Sequence, residues 1–324
     1  MSRVHTMMPP LLAVILWISL HAGHPSGAAE AATLYVTNGY SATISVIDTA
    51  TREVVTTIPN VGVRPNRVAF SPDGTKAYVI DDSALNLIVV DAVRHELIGK
   101  ISAGRRPYNL AFSPDGREGW ILDWWDSEVL IYDAGFTRLQ GKIKVGTWPA
   151  HAIFTRDGRT AYVSNETTGD VSVIDTAARK VTATLPAGGY TMGLALTPDE
   201  RFLYIANGEP QTVSKVDTKS QQIVAQWPLG GEAHEVVVTP DGGYIYVGLR
   251  SIDEIAVIST GDDRLVTRVP QPKKPDLILM EPAQNVAFVT NRHAGVVSVI
   301  DLRSHKVIAK IRVGANPHGM ALKP

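Results

Sequence analysis

Short apolar runs alternate with polar punctuation along the chain, and the same order of runs keeps returning. In one period, Asn109–Ser113 (NLAFS) is stopped by Pro114-Asp115-Gly116. Glu118–Leu122 (EGWIL) then leads into a loop, Glu128–Asp133 (EVLIYD) into a turn, and Gln140–Val145 (QGKIKV) into the next period. Runs this short, bounded by Gly, Pro and Asp, predict β-strands joined by tight connections. The period is locked. The aromatic of YVTN returns as Tyr35, Tyr78, Trp120, Tyr162, Tyr204, Tyr246 and Phe288, spaced by 43 once and then by 42, with the extra residue near Asn60. A second column, Asn66, Tyr108, Ala150, Met192, His234, Asp276 and His318, is spaced by 42 throughout.

Four strands in each of seven periods of about 40 residues predict an all-β, seven-bladed β-propeller over residues 32–324. The repeats begin on a second strand (Thr33-Leu34-Tyr35) and end on a first strand (HGMALKP). The last strand is therefore expected to complete the first blade as a three-plus-one clasp, leaving no unpaired radial edge. Asp48, Asp91, Asp133, Asp175, Asp217 and Asp301 each end a third strand, with Ser259 in the remaining blade. Carboxylates at blade spacing invite a catalytic reading, but Asp opens turns by accepting backbone N–H bonds, and that reading is preferred.

Residues 1–31 have a different character. Arg3 precedes the apolar run Leu11–Leu20, which is too short to span a bilayer, and small residues follow around Ala28–Ala31. This is the pattern of a secretory signal peptide; a buried N-terminal element is the alternative. Hydrophobic residues make up 44% and charged residues 19%, enough apolar material for a large core. The formal net charge of −1 argues against nucleic acid as a partner. With no cysteine, disulfides, zinc–thiolate sites and haem attachment through C-x-x-C-H are excluded. An exported chain without disulfides fits a bacterial periplasm. A monomer is expected.

The segments YVTN, VSVIDTA, VAFSPDGTKAYV and VGVRP resemble the YVTN-type β-propeller family, over residues 33–324. The resemblance implies an exported seven-bladed propeller. Some similar proteins are encoded with quinone-dependent alcohol or amine oxidation systems, and more distant relatives include the haem-binding propellers of periplasmic nitrite reductases. The shared motif is structural and brings no catalytic residues with it.

Function is sought on the face where the repeat breaks down. One face carries repetitive turns such as SPDG and DTAT. The other varies at fixed length, with Arg64, Arg106, Trp148 and Tyr190 in blade-to-blade loops and Trp124-Trp125 and Arg292-His293 in the remaining loops. Aromatic and arginine side chains around a funnel suit binding, against the alternative of loop drift. The expected ligand or partner site comprises Arg64, Arg67, Arg106, Tyr108, Trp124, Trp125, Trp148, Tyr190 and Arg292. The arginines could hold carboxylates of a cofactor or an acidic partner, or single-stranded nucleic acid with the tryptophans as stacking platforms, or they are solvated surface. His234, Asp276 and His318 share one column on successive inner strands, so they could ligate a metal or a haem iron, or simply line a hydrated channel. No cofactor and no catalytic residue is assigned. His305, in a turn on the repetitive face, is expected to be inert.

Overall fold

The computed structural model describes residues 32–324, so the signal-peptide expectation lies outside the described residues. Twenty-eight strands form seven four-stranded antiparallel sheets. The single helical turn among the described residues is a 3-10 turn, Pro282–Gln284. Six sheets are continuous in sequence. The seventh sets Pro317–Leu322 beside Thr33–Asn38, with Leu34 opposite Leu322 and Val36 opposite Met320. This is the predicted all-β seven-bladed propeller with its three-plus-one clasp.

The second and third strands of each blade are buried on both sides, because each blade packs against two neighbours. The YVTN aromatics fill these interfaces. Trp120, Tyr35, Tyr204, Tyr246 and Phe288 are among the largest fully buried side chains. The fourth strands form the exposed rim, as in Glu96–Ile101.

The turn aspartates do what their position suggests. Asp48, Asp91, Asp175, Asp217 and Asp301 each accept backbone N–H bonds through Oδ1 at 2.8–2.9 Å. His305 departs from expectation. Its Nδ1 lies 2.5 Å from the Tyr246 hydroxyl, and His95 Nδ1 lies 2.6 Å from the Tyr35 hydroxyl. Each pair joins one blade to the next, so this histidine is a structural staple.

Candidate functional site

Innermost strands all enter from the funnel face, so their opening residues form successive tiers around the channel. The upper tier is the column from Asn66 to His318. One residue deeper lies Arg67, Asn109, His151, Gly193, Glu235, Leu277 and Gly319. Where the second strands give way to the next loop a rim is added, spaced by 43 once and then by 42: Gly39, Asp82, Trp124, Glu166, Gly208, Arg250 and Arg292.

These side chains converge on a funnel cavity of about 240 Å³, whose lining includes Arg64, Arg106, Tyr108, Trp124, Tyr190, Arg250 and Arg292. Along its wall Trp124 stacks on Tyr108 (centroids 3.8 Å apart, planes at 22°) and on Trp148 (5.0 Å, 7°). The Arg106 guanidinium lies 5.2 Å from the Trp124 ring. The loop is held for this purpose by Asp123, which accepts from the backbone N–H groups of Arg106 and Trp125. Trp148 and Tyr190 have positive φ, 59° and 55°. Lys274 and Asn316 share it at the same place in later blade connections, so the left-handed turn belongs to the connection and presents whichever side chain stands there.

Arg64 pairs with Asp82 at 3.7 Å. Tyr190 is pushed up to about 12 by burial and by the Glu166 carboxylate beside it. Trp125 stands outside the cavity, 61% exposed, with the Arg105 guanidinium 5.7 Å from its ring. Arg67 parts from Arg64 and Arg106 altogether and enters the channel.

At the base of the funnel, Asp276 is fully buried. His318 Nε2 lies 3.1 Å from its Oδ2 and His234 Nδ1 lies 3.5 Å from its Oδ1. The column thus brings the three together as expected. Two guanidiniums share the same carboxylate: Arg250 contacts Oδ1, and Arg292 Nη1 lies 3.6 Å from Oδ2. Burial, then the neighbouring arginines, hold both imidazoles well below the usual histidine range, so they are neutral at pH 7. His234 Nε2 and His318 Nδ1 are buried without hydrogen-bond partners. Among the described residues, no group of three or more His, Asp or Glu side chains is spaced to hold a metal ion. Arg250 and Glu166 were not singled out from sequence, although both fall in the same loop column as Trp124 and Arg292.

Residues 229–323 match the model of the YNCE-like beta-propeller family. The YNCE-like match covers two blades and the closing strand. Solved structures extend the likeness around the ring. Hydrazine synthase from Kuenenia stuttgartiensis superposes with a TM-score of 0.76 at 22% identity, over 83% of this chain and 92% of that one. Dihydro-heme d1 dehydrogenase NirN in complex with DHE gives 0.65 at 16%, over 86% and 63%. A functionally unknown protein from Desulfotomaculum acetoxidans DSM 771 gives 0.73 at 14%, over 90% and 98%. At these identities the likeness is one of fold. No curated protein matches the chain. Among the described residues, no helix is long and apolar enough to cross a membrane.

Proposed function

We propose that this propeller is an exported, periplasmic binding protein that docks an anionic ligand or the acidic surface of a protein partner at its funnel. The observation that carries the reading is the Tyr108–Trp124–Trp148 stack with Arg106 across its face. Arg64, Arg250 and Arg292 each have a carboxylate within ion-pair reach. Among the described residues, Arg106 has only an aromatic ring, and its charge is free for an incoming group. Flat aromatic area beside an uncommitted guanidinium is the chemistry of a binding hot spot. One of the similar folds is a dehydrogenase by name, which supports a partner within an oxidoreductase system.

The test is a quantitative pull-down from the native periplasmic fraction with wild type, Arg106→Ala and Trp124→Ala. Each substitution should weaken capture by at least ~30-fold, the size of a ~2 kcal/mol hot spot, with the fold retained by circular dichroism. A partner recovered equally by all three proteins would overturn the reading.

A second reading keeps a cofactor in view. Asp276 faces one nitrogen of each imidazole, and the other nitrogens, His234 Nε2 and His318 Nδ1, carry no partner. Carboxylates orient metal-binding imidazoles in this way. Arg250 and Arg292 on the same carboxylate oppose a cation. Calorimetric titration with zinc, copper and manganese separates the two: stoichiometric binding lost in His318→Ala favours the cofactor, and no heat of binding favours docking alone.

A further inference from the structure

Arg67 differs from every other arginine around the channel. It is 7% exposed, its Nε is buried without a hydrogen-bond partner, and among the described residues no carboxylate comes within ion-pair distance. Its aromatic neighbour is Tyr108, 5.9 Å away. A guanidinium keeps its proton at any accessible pH, and a buried charge without a counter-charge is costly. Glu235 lines the same cavity, but burial raises its carboxyl to about 7, outweighing the downward pull of Arg67 from beyond ion-pair distance, so at neutral pH it is only a partial counter-charge.

The cavity that Arg67 enters lies below the funnel and measures about 490 Å³. It reaches Val238 and Met280, near the far ends of their strands, and so faces the repetitive side of the ring. His151 lines the same cavity. Its Nδ1 accepts the Leu194 N–H at 3.1 Å, which leaves the proton on Nε2 as a donor. Burial, with Arg67 nearby, holds this imidazole down at about 3, so it stays neutral. Asn109 and Glu235 are the other polar residues of the lining, and the rest of the wall is apolar, with Leu194, Leu196, Val236, Leu277 and Met320. A cation and a neutral donor at one end of an apolar tube match a molecule with one charged end and a hydrocarbon body.

We infer that this cavity binds a carboxylic acid with an apolar body, its carboxylate on Arg67 and His151 and its hydrocarbon part along Leu194, Val236, Leu277 and Met320. The guanidinium fork suits a carboxylate, and the apolar stretch of wall suits a hydrocarbon body. This site is separate from the docking funnel and opens on the other side.

Titration calorimetry on the full chain with octanoate, 1-octanol and acetate tests it. One octanoate should bind per chain, with the alcohol and the short acid each at least ~tenfold weaker, since each lacks one half of the match. Arg67→Gln should weaken octanoate at least ~tenfold while melting no lower than wild type, because it removes an unmatched buried charge. Leu196→Trp, which narrows the cavity from its open end, should also weaken octanoate. Trp124→Ala, on the funnel, should leave octanoate unchanged whatever becomes of partner docking. The inference is overturned by no binding to wild type, by undiminished binding to Arg67→Gln, or by a marked loss of stability in that variant.

Discussion

The two faces of the ring follow opposite rules. On the turn face, one device is copied from blade to blade: a Ser or Thr hydroxyl donates to the Asp two residues on, at 2.5–2.7 Å, in Ser71–Asp73, Ser113–Asp115, Thr155–Asp157, Thr197–Asp199 and Thr239–Asp241. On the funnel face, the rim column runs Gly39, Asp82, Trp124, Glu166, Gly208, Arg250, Arg292, mixing glycine, carboxylate, indole and guanidinium. Loop length is the same around the rim, so folding demands length there and leaves the side chain free. The copied face holds the ring, and the varied face carries chemistry.

That contrast presumes a closed ring, and the largest expected effect comes from opening it. Deleting residues 318–324 removes the strand paired with Thr33–Asn38 and uncovers a blade edge. The truncated chain should fail to accumulate in soluble form; a truncated chain that melts like the full one would break the comparison at its root.

Next come the staples on the copied face. His305→Ala leaves the Tyr246 hydroxyl without its hydrogen-bond partner and should cost ~1–3 kcal/mol in chemical denaturation. Adding Tyr246→Phe should recover most of that loss, since both polar partners are then gone. The histidine is held below its usual value by burial. Its lowered value means that the neutral form is favoured on folding, so the contribution is present above pH ~6.5 and fades as the pH falls below it. Equal stability of wild type and His305→Ala at pH 7.5 would return this residue to the inert class.

A smaller effect is expected inside the channel. The Glu235 carboxyl is raised to about 7 by burial, from an ordinary value of 4.5. A raised acid favours the protonated native state, so wild type should lose stability as the pH rises from ~4.5 through 7. Glu235→Gln should therefore be more stable than wild type at pH 8 and equal to it at pH 4, by urea denaturation at each pH. The smallest effect belongs to the varied face. Trp125→Ala should shift the melting temperature by no more than about a degree, because the ring is 61% exposed and a surface change of this kind stays within ~0.5 kcal/mol. A large shift would mean that the varied face also holds the ring.

Sequence made the ring legible because each blade restates the same strands and turns, and seven restatements fix the period, the turn aspartates and the clasp. It left the site half-read for a physical reason. Arg64 and Arg67 look like one basic group, yet Arg64 is in a loop and Arg67 is on a strand whose opening residues face the axis. Their fates separate by direction, which the one-dimensional pattern does not carry. The convergence of Arg250 and Arg292 on Asp276 likewise depends on side chains from different blades meeting at the axis. The staple was missed because its partners are far apart in the chain. Tyr246 and His305 are 59 residues apart, Tyr35 and His95 are 60, and the difference is the extra residue near Asn60. Comparing aromatic–histidine offsets across the blades would have found it.

The clasp also determines how the ring answers to force. Thr33–Asn38 and Pro317–Leu322 run antiparallel, and Leu34 sits opposite Leu322, so the two ends of the propeller leave from the same end of one strand pair. Tension applied between Thr33 and Leu322 meets the ladder one hydrogen bond at a time. That is the unzipping geometry, whereas parallel pulling along a ladder would load its bonds together in shear. The strand that seals the ring against pairing with other chains is thus the strand that a pull on both ends would peel first.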